Sequence, residues 1–525
     1  MDRWLEDLLT QQGHRLLDRR AFLALSASAA ALAACSPGST GSTSPAPGGG
    51  KLSDSLTIAA PTISDTLDPH GTLSNSGYQA ARQMFDALVT YNDAGTEFVP
   101  QLATSWSRID PTTMEFKLRD DVKFSNGESF TAEVVKFNVE RIQKSTDPIH
   151  ANSKTRVSFI TGVEMVNLTT VRIKTATPFP LLLNYLTNLF MVPIKYVQDG
   201  GDMKTKPIGT GSFKLVEFVT ANRIVYEAWD QSWRGKSKIQ NARLLAIPEE
   251  ATLLSALRTG EVDMVTNAPG DKVAGLANDF NVRPVPSMSC AIMGIIQNTP
   301  AFADRRVREA ANLAVNKDEL VQRIFGGYAK VSQGQLLQPG VFGFNEAIKA
   351  VPFDPERAKS LIRSAGFEGA EAVIGSVAAT QPLATAIAGY LTNVGLRSRV
   401  QIYEFPVFVP QITTKSDNPL VSFRTDYFSL RDFDGAAASF GVRPPNFQDY
   451  FANEEFDRLY LAQKVELDQE KRKQQIFRMA ELMREEYPAI FVAYQDFPAI
   501  YSKKITKLRI PYDTATYIWE TEKQA

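Results

Sequence analysis

The chain has 525 residues, 57 basic and 58 acidic, for a formal net charge of −1. Hydrophobic residues make up 44% of it and charged residues 22%, an ordinary globular balance. Near-neutral charge supplies no basic face for nucleic acid, and the length suffices for a large core of roughly three domains at ~150 residues each.

The leader comes first. Arg19-Arg20 precedes a 14-residue run rich in Ala and Ser, Ala21 to Ala34. That run falls short of the ~20 apolar residues that a membrane-crossing helix needs. It reads as the apolar region of a signal peptide and is set aside from the fold. Met1 to Arg20 holds four basic and four acidic residues. A long neutral region ending in paired arginines points to the twin-arginine route, with Asp18 where Ser or Thr is usual and Ala24 where Lys is often seen. The run closes on Leu32-Ala33-Ala34-Cys35, which resembles the lipobox of bacterial lipoproteins. The resemblance implies cleavage before Cys35 and a diacylglyceryl group on its sulfur. Ser36 to Gly50 has no charge and no apolar face, so it reads as a flexible linker. The expectation is a signal peptide over 1–34, a lipid-anchored Cys35 with its linker over 35–50, and an exported body at the outer face of the cell membrane or in the periplasm.

In the body, Leu56–Ala60 reads as a strand, followed by a loop with Asp68-Pro69-His70-Gly71. Tyr78 to Val89 reads as a helix with Ala81, Phe85 and Leu88 on one face. Glu115–Arg119 alternates as a half-buried strand, and Asn126-Gly127 marks a turn. Thr131 is placed to cap a helix running to about Ile142. Val171–Lys174 is a strand stopped by Pro178 and Pro180. In Pro207–Leu215 (PIGTGSFKL), Gly209 and Gly211 permit unusual backbone, but no phosphate-loop Lys follows. Ile224–Tyr226 and Val262–Val265 are strands around a helix at Glu249–Leu257. Asp304 caps a helix with Val307, Ala310, Ala311 and Ala314 inward, and Asp354-Pro355 opens another that Gly366 stops. Gln381–Val394 is helical and Val400–Tyr403 a strand. Asp468–Glu486 is a long amphipathic helix with Ile476, Met479, Ala480 and Met483 inward, and Ala489–Tyr494 returns as a strand. Strands alternating with helices indicate an α/β fold.

Catalytic signatures are missing. There is no Gly-x-Ser-x-Gly elbow and no His-Glu-x-x-His. His70 and His150 are the body's histidines, and Cys290 is its one cysteine after Cys35, so neither a His-rich metal site nor an intrachain disulfide is expected. Cys290 reads as a buried apolar residue. No cofactor is expected. A carboxylate-pair hydrolase is not excluded by motif.

Several blocks, in order, carry a further resemblance. They are Gln101–Trp106 (QLATSW), Phe116–Phe130 (FKLRDDVKFSNGESF), Ile208–Leu215 (IGTGSFKL), Leu257–Asp263 (LRTGEVD), Phe302–Leu320 and Phe353–Phe367. Together they are similar to the extracytoplasmic solute-binding proteins of family 5 of ABC importers, which include oligopeptide and dipeptide binders. The resemblance implies a bilobed periplasmic-binding-protein-like (type II) fold. Its first lobe would be discontinuous, over 51–82, 206–288 and 496–525, with an inserted subdomain at 83–205; the second lobe would span 289–495. Two crossings between lobes would act as a hinge, with solute trapped on closure.

The resemblance also names a site. In peptide binders an Asp in an aromatic-x-x-Asp-Tyr segment pairs with the peptide's ammonium. Phe423-Arg424-Thr425-Asp426-Tyr427 matches, with Asp426 and Tyr427 in place. The segment then departs from the family pattern in Phe428–Gly435, where Arg431, or Arg424 before it, is an alternative holder of an anionic ligand group. Leu73–Tyr78 corresponds to a first-lobe loop lining the cleft, with Asn75, Ser76 and Tyr78 as contacts; plain capping at Ser74 or Ser76 is the competing reading. The expected partners are a small solute, a short peptide or peptide-like, the transmembrane subunits of an ABC permease, and the membrane through the lipid; the body is expected to be a monomer. Two alternatives stay open: a receptor for a non-peptide solute such as a metal chelate, opine or oligosaccharide, and a secreted hydrolase.

Overall fold

A computed structural model describes residues 52–71, 75–268, 270–404, 407–408, 410, 418–426, 431–437, 453–511 and 514–525. Of 75, 271, 274, 286, 288, 422–426 and 436 it describes the backbone alone. Helices and strands alternate as the α/β reading expects.

One mixed sheet of eleven strands runs through the body. At one end, Ser55–Ala60 lies parallel to both Asn241–Ala246 and Met264–Val265. At the other, Glu371–Ser376 lies parallel to Arg397–Ile402 and to Leu420–Asp426. Two long antiparallel strands, Asn281–Ile295 and Ala489–Tyr501, join these halves. Their far ends pair outward: Tyr501 and Ile500 with Met264–Val265, and Ser289 to Ile295 with Leu420–Asp426. The register of this ribbon slips between Pro286 and Ser289, opposite Asp496 and Gln495, and again between Ala291 and Ile292. Bulges of this kind bend a ribbon and sharpen its twist. The second strand is longer than the expected Ala489–Tyr494, because a crossing strand stays paired on both sides of the bulge.

A separate four-stranded antiparallel sheet, within 103–175, packs Phe116, Val171 and Ile173 against Val135 and Val139 of the Ala132–Lys144 helix. Buried clusters also fill each end of the large sheet: Leu56, Ile58, Phe85 and Tyr226 on one side, and Val307, Ile374, Ile387 and Ile490 on the other. Burial of aliphatic side chains at ~25 cal/mol per Å² is the main source of stability here.

Several local expectations hold. Asp304, Asp354 and Asp468 each accept a hydrogen bond from a first-turn N–H, and Gly366 ends its helix at φ 79°. Cys290 is fully buried, and burial pushes its thiol up to about 12. Others need correction. Thr131 precedes the Ala132–Lys144 helix in extended backbone, but its side chain makes no capping bond. The helix expected over Tyr78–Val89 is Asn75–Met84, and Val89–Tyr91 is a strand. What ends it is the PIGTGSFKL segment: Gly211 N donates to Met84 O at 2.8 Å, and a Cβ on Gly209 would lie 1.9 Å from that oxygen. Gly-x-Gly thus serves a close backbone approach that caps a helix.

Candidate functional site

The carboxyl ends of the parallel strands Ser55–Ala60, Asn241–Ala246 and Met264–Val265 form the floor of a recess. Open α/β sheets take ligands outside such ends. Ser76 and Gln79 of the Asn75–Met84 helix line it, with Asn267 at φ 57° and Thr514 at φ 60°. Two non-glycine residues in left-handed backbone at one recess mark locally stored strain. Gln79 accepts from Thr516 N at 2.8 Å and Gln83 donates to Thr516 O at 2.8 Å, so the C-terminal tail is stitched to this helix.

The predicted contacts fall as follows. Asn75 begins the helix, and Ser76 sits at the recess rim. Tyr78 turns inward, 3% exposed, and its hydroxyl accepts from Arg156 Nη1 at 2.7 Å. Phe423, Arg424 and Asp426 lie on the Leu420–Asp426 strand, in register with Ile292, Ala291 and Ser289 respectively. Asp426 therefore ends its strand beside the ribbon's Pro286–Ser289 bulge. Tyr427 and Cys35 lie outside the described residues.

Arg431 belongs to a second cavity, of about 410 Å³. On one side stand Tyr91, Arg108 and Asn184; on the other Phe342, Arg431 and Glu466. Asn184 Nδ2 donates to the Tyr91 hydroxyl at 2.7 Å. Arg108 gives its guanidinium N–H groups to Pro111 O and Phe179 O at 3.1 Å each, and burial pulls its pKa below the usual range. Arg431 is buried at φ 48°, donates Nη2–H to Ala94 O at 3.2 Å and lies over the Tyr91 ring. Next to it, Asp432 takes two bonds from Arg472, at 2.5 and 2.8 Å, and bonds Asp434 N at 3.0 Å. Asp434 in turn accepts from Gln463 Nε2 at 3.2 Å and from the Tyr185 hydroxyl at 3.4 Å. Burial and the nearby Asp434 carboxylate push the Tyr185 hydroxyl well above its ordinary value. Sequence reasoning missed Arg108, Tyr185, Asp432, Asp434 and Arg472. No spacing links them; the available signal was Arg472, a charge set among inward positions of an amphipathic helix.

Both body histidines meet in a third cluster. Asp68 accepts from Arg141 at 2.5 and 3.3 Å and from His150 Nε2 at 3.1 Å. Arg141 Nη1 also donates to His70 Nδ1 at 2.5 Å, leaving His70 Nε2–H to donate to Phe190 O at 2.8 Å. Burial first, and the Arg141 charge second, push His70 down to about 4. Burial alone would raise the Asp68 carboxyl, but its bonds to His150 and Arg141 outweigh that and hold it far below the carboxylate range. Among the described residues, no group of three His, Cys, Asp or Glu side chains is arranged to hold a metal ion. Nor is any described helix long and apolar enough to cross a membrane.

Known proteins share this pattern. Residues 97–453 match the model of bacterial extracellular solute-binding proteins, family 5. Heme-binding protein A of Haemophilus influenzae is 28% identical over 377 residues, 66% of this chain and 69% of that protein. The glutathione-binding protein GsiB of Escherichia coli O1:K1 is 25% identical over 470 residues, 86% of this chain and 90% of that one. Among solved structures, DppA of Helicobacter pylori in complex with the peptide STSA superposes with a TM-score of 0.76 at 21% identity, over 90% of this chain and 99% of that one. With two thirds of its length inside the family model and the two-ended sheet around it, the chain belongs to the family 5 extracellular solute-binding proteins of ABC importers.

Proposed function

We propose that this protein captures short peptides or peptide-like solutes between two lobes and hands them to an ABC permease while moored to the membrane through Cys35. The observation that carries the reading is the bulged ribbon of Asn281–Ile295 and Ala489–Tyr501. It joins two packed halves, and its bulge lies beside the strand end that bears Asp426. A hinge at that bulge, at the 288/289 and 495/496 crossings, would let the halves close on a solute held from both sides. The first lobe (51–82, 206–288, 496–525) contributes Asn75 and Ser76, with Tyr78 packed behind them; the second (289–495) contributes Phe423, Arg424, Asp426 and Tyr427. The inserted subdomain (83–205) forms a side wall.

The relatives bear on the solute. A glutathione binder that aligns over most of the chain favours an amphoteric, peptide-like ligand with both an ammonium and carboxylates. Asp426 suits the ammonium and Arg424 an acidic group, since the Arg431 guanidinium is engaged with Ala94 O and the Tyr91 ring. The haem-binding relative supports a second reading, an iron chelate. Native mass spectrometry of the full chain, purified gently, separates the two by the mass of the co-purified solute. Asp426→Asn should weaken an amine-bearing peptide by ~2–5 kcal/mol, because a buried ammonium loses its partner. Calorimetry with unchanged affinity removes Asp426 from the site, and metabolic labelling that finds no acyl chain on Cys35 removes the anchor.

A further inference from the structure

The segment at 431–434 is held rigidly from behind and reaches forward with two side chains. From behind, Arg472 grips the Asp432 carboxylate, and Gln463 binds both Arg472 and Asp434. Forward, Arg431 and Asp434 meet one small area of the inserted subdomain. That area is the turn joining the paired strands Val89–Tyr91 and Phe98–Pro100, with the neighbouring Leu182–Leu186 helix. Arg431 bonds Ala94 O and covers the Tyr91 ring, and the Asp434 carboxylate accepts from Tyr185. The turn is shaped for this guest. Gly95 has φ 66°, and a Cβ there would fall 2.3 Å from the Arg431 guanidinium carbon and 2.4 Å from its Nε. The absent side chain makes the space in which the guanidinium lies. Arg431 itself takes left-handed backbone at φ 48°, an uncommon conformation for a long side chain, which aims it across the cavity.

We propose that Arg431 and Asp434 are a latch: they close the second lobe onto the inserted subdomain at Tyr91, Gly95 and Tyr185, and so set how long a solute stays without touching it. This rests on the closing-lobes reading above. It makes the inserted subdomain an active part of closure, since the receiving groups all belong to it. A contact formed in the closed state alone stabilises that state by its whole free energy, and its loss shifts the balance toward open. Removal should therefore raise the solute's dissociation rate and leave its association rate nearly unchanged.

The test needs no identified ligand. Nitroxide labels go on the exposed Thr155→Cys and Arg458→Cys of the full chain carrying Cys35→Ser; Cys290 is fully buried and stays unlabelled. Electron–electron distance measurements then read the closed fraction without solute and with reduced glutathione as the probe. Arg431→Ala should cut the short-distance fraction by about threefold or more. Gly95→Ala should do the same, while Gly127→Ala, also at positive φ but with open space around its Cβ, should leave it unchanged. That pair separates the clash from backbone strain. Gly95→Ala placed on Arg431→Ala should add nothing further, since both break one contact. Arg431→Lys, which keeps a donor for Ala94 O, should restore part of the fraction. If the variants leave the distances unchanged while glutathione shortens them, the latch is overturned and the clamshell stands. Distances fixed in every variant and with every addition overturn both.

Discussion

Two helices each send an arginine to a buried aspartate, and the two pairs do different work. Arg141 of the Ala132–Lys144 helix binds Asp68, and Arg472 of the Gln469–Glu486 helix binds Asp432. Both pairs use two guanidinium nitrogens, and both carboxylates are at most 3% exposed. The difference lies in what each pair joins. Asp68 belongs to the loop after the Ser55–Ala60 strand, so Arg141 fastens the helix packed on the four-stranded sheet to the first half of the large sheet. His70 bonds Arg141, His150 bonds Asp68, and Phe190 O holds His70 from its other ring nitrogen. Asp432 and Arg472 both belong to the second half, so their pair stiffens one body internally. Beside that pair, Arg431 and Asp434 reach across to Ala94 O and the Tyr185 hydroxyl, with bonds of 3.2 and 3.4 Å. The same chemistry joins two sheets in one place and, if the proposed latch holds, backs a separable contact in the other.

The hardest blow to the joint is Asp68→Asn. It leaves Arg141 buried without its counter-charge, and breaking such a pair from one side costs about 3–5 kcal/mol. Urea unfolding followed by circular dichroism should show a loss of that size. A change under 1 kcal/mol would mean the cluster does not fasten the two sheets.

Acid attacks the same joint next. His70 is neutral in the fold because its Nδ1 faces the Arg141 N–H, so a proton there would meet both burial and a like charge. Its pKa falls from 6.5 in the unfolded chain to about 4 in the fold. The unfolded chain therefore binds the proton first, and the stabilisation is complete above about pH 6.5 and lost as pH falls toward 4. The amount at stake is about 3 kcal/mol. Stability measured across that window should fall in the wild type and fall less in His70→Gln, whose amide does not titrate. Equal slopes for the two proteins would take His70 out of the account.

How much of this was legible in the sequence follows from the range of the forces involved. Asp304, Asp354 and Asp468 were readable as caps because a cap and its N–H groups lie within three residues. The order of the blocks from Gln101 to Phe367 gave away the family, and with it the two-ended fold. The Asn75–Met84 helix stopped early for a reason 125 residues away, the approach of Gly209, and no local pattern carries that information. His70 and His150 were read as too few for a metal site, yet they serve a charge cluster that needs the fold to bring 68, 141 and 150 together. Asp426 is a candidate because a motif names it, whereas Asp432 and Asp434, a few positions on, have no motif to announce them.

The smallest effect separates the two arginine-bearing helices at their starts. Asp468 accepts from Glu470 N at 3.0 Å and Lys471 N at 3.1 Å, while Thr131 makes no such bond. Asp468→Ala should therefore cost about 1 kcal/mol, the usual worth of a cap, whereas Thr131→Ala should change stability by less than about 0.5 kcal/mol. The asymmetry has a structural origin. Ala132 N, the first N–H of its helix, already donates to Leu168 O at 2.9 Å, so the joint-side helix starts against the neighbouring hairpin and has less need of a side-chain cap. The second helix starts at an exposed loop and depends on its own Asp468. Equal losses for the two variants in denaturant titrations would show that Thr131 caps in solution after all, and that the two helices begin alike.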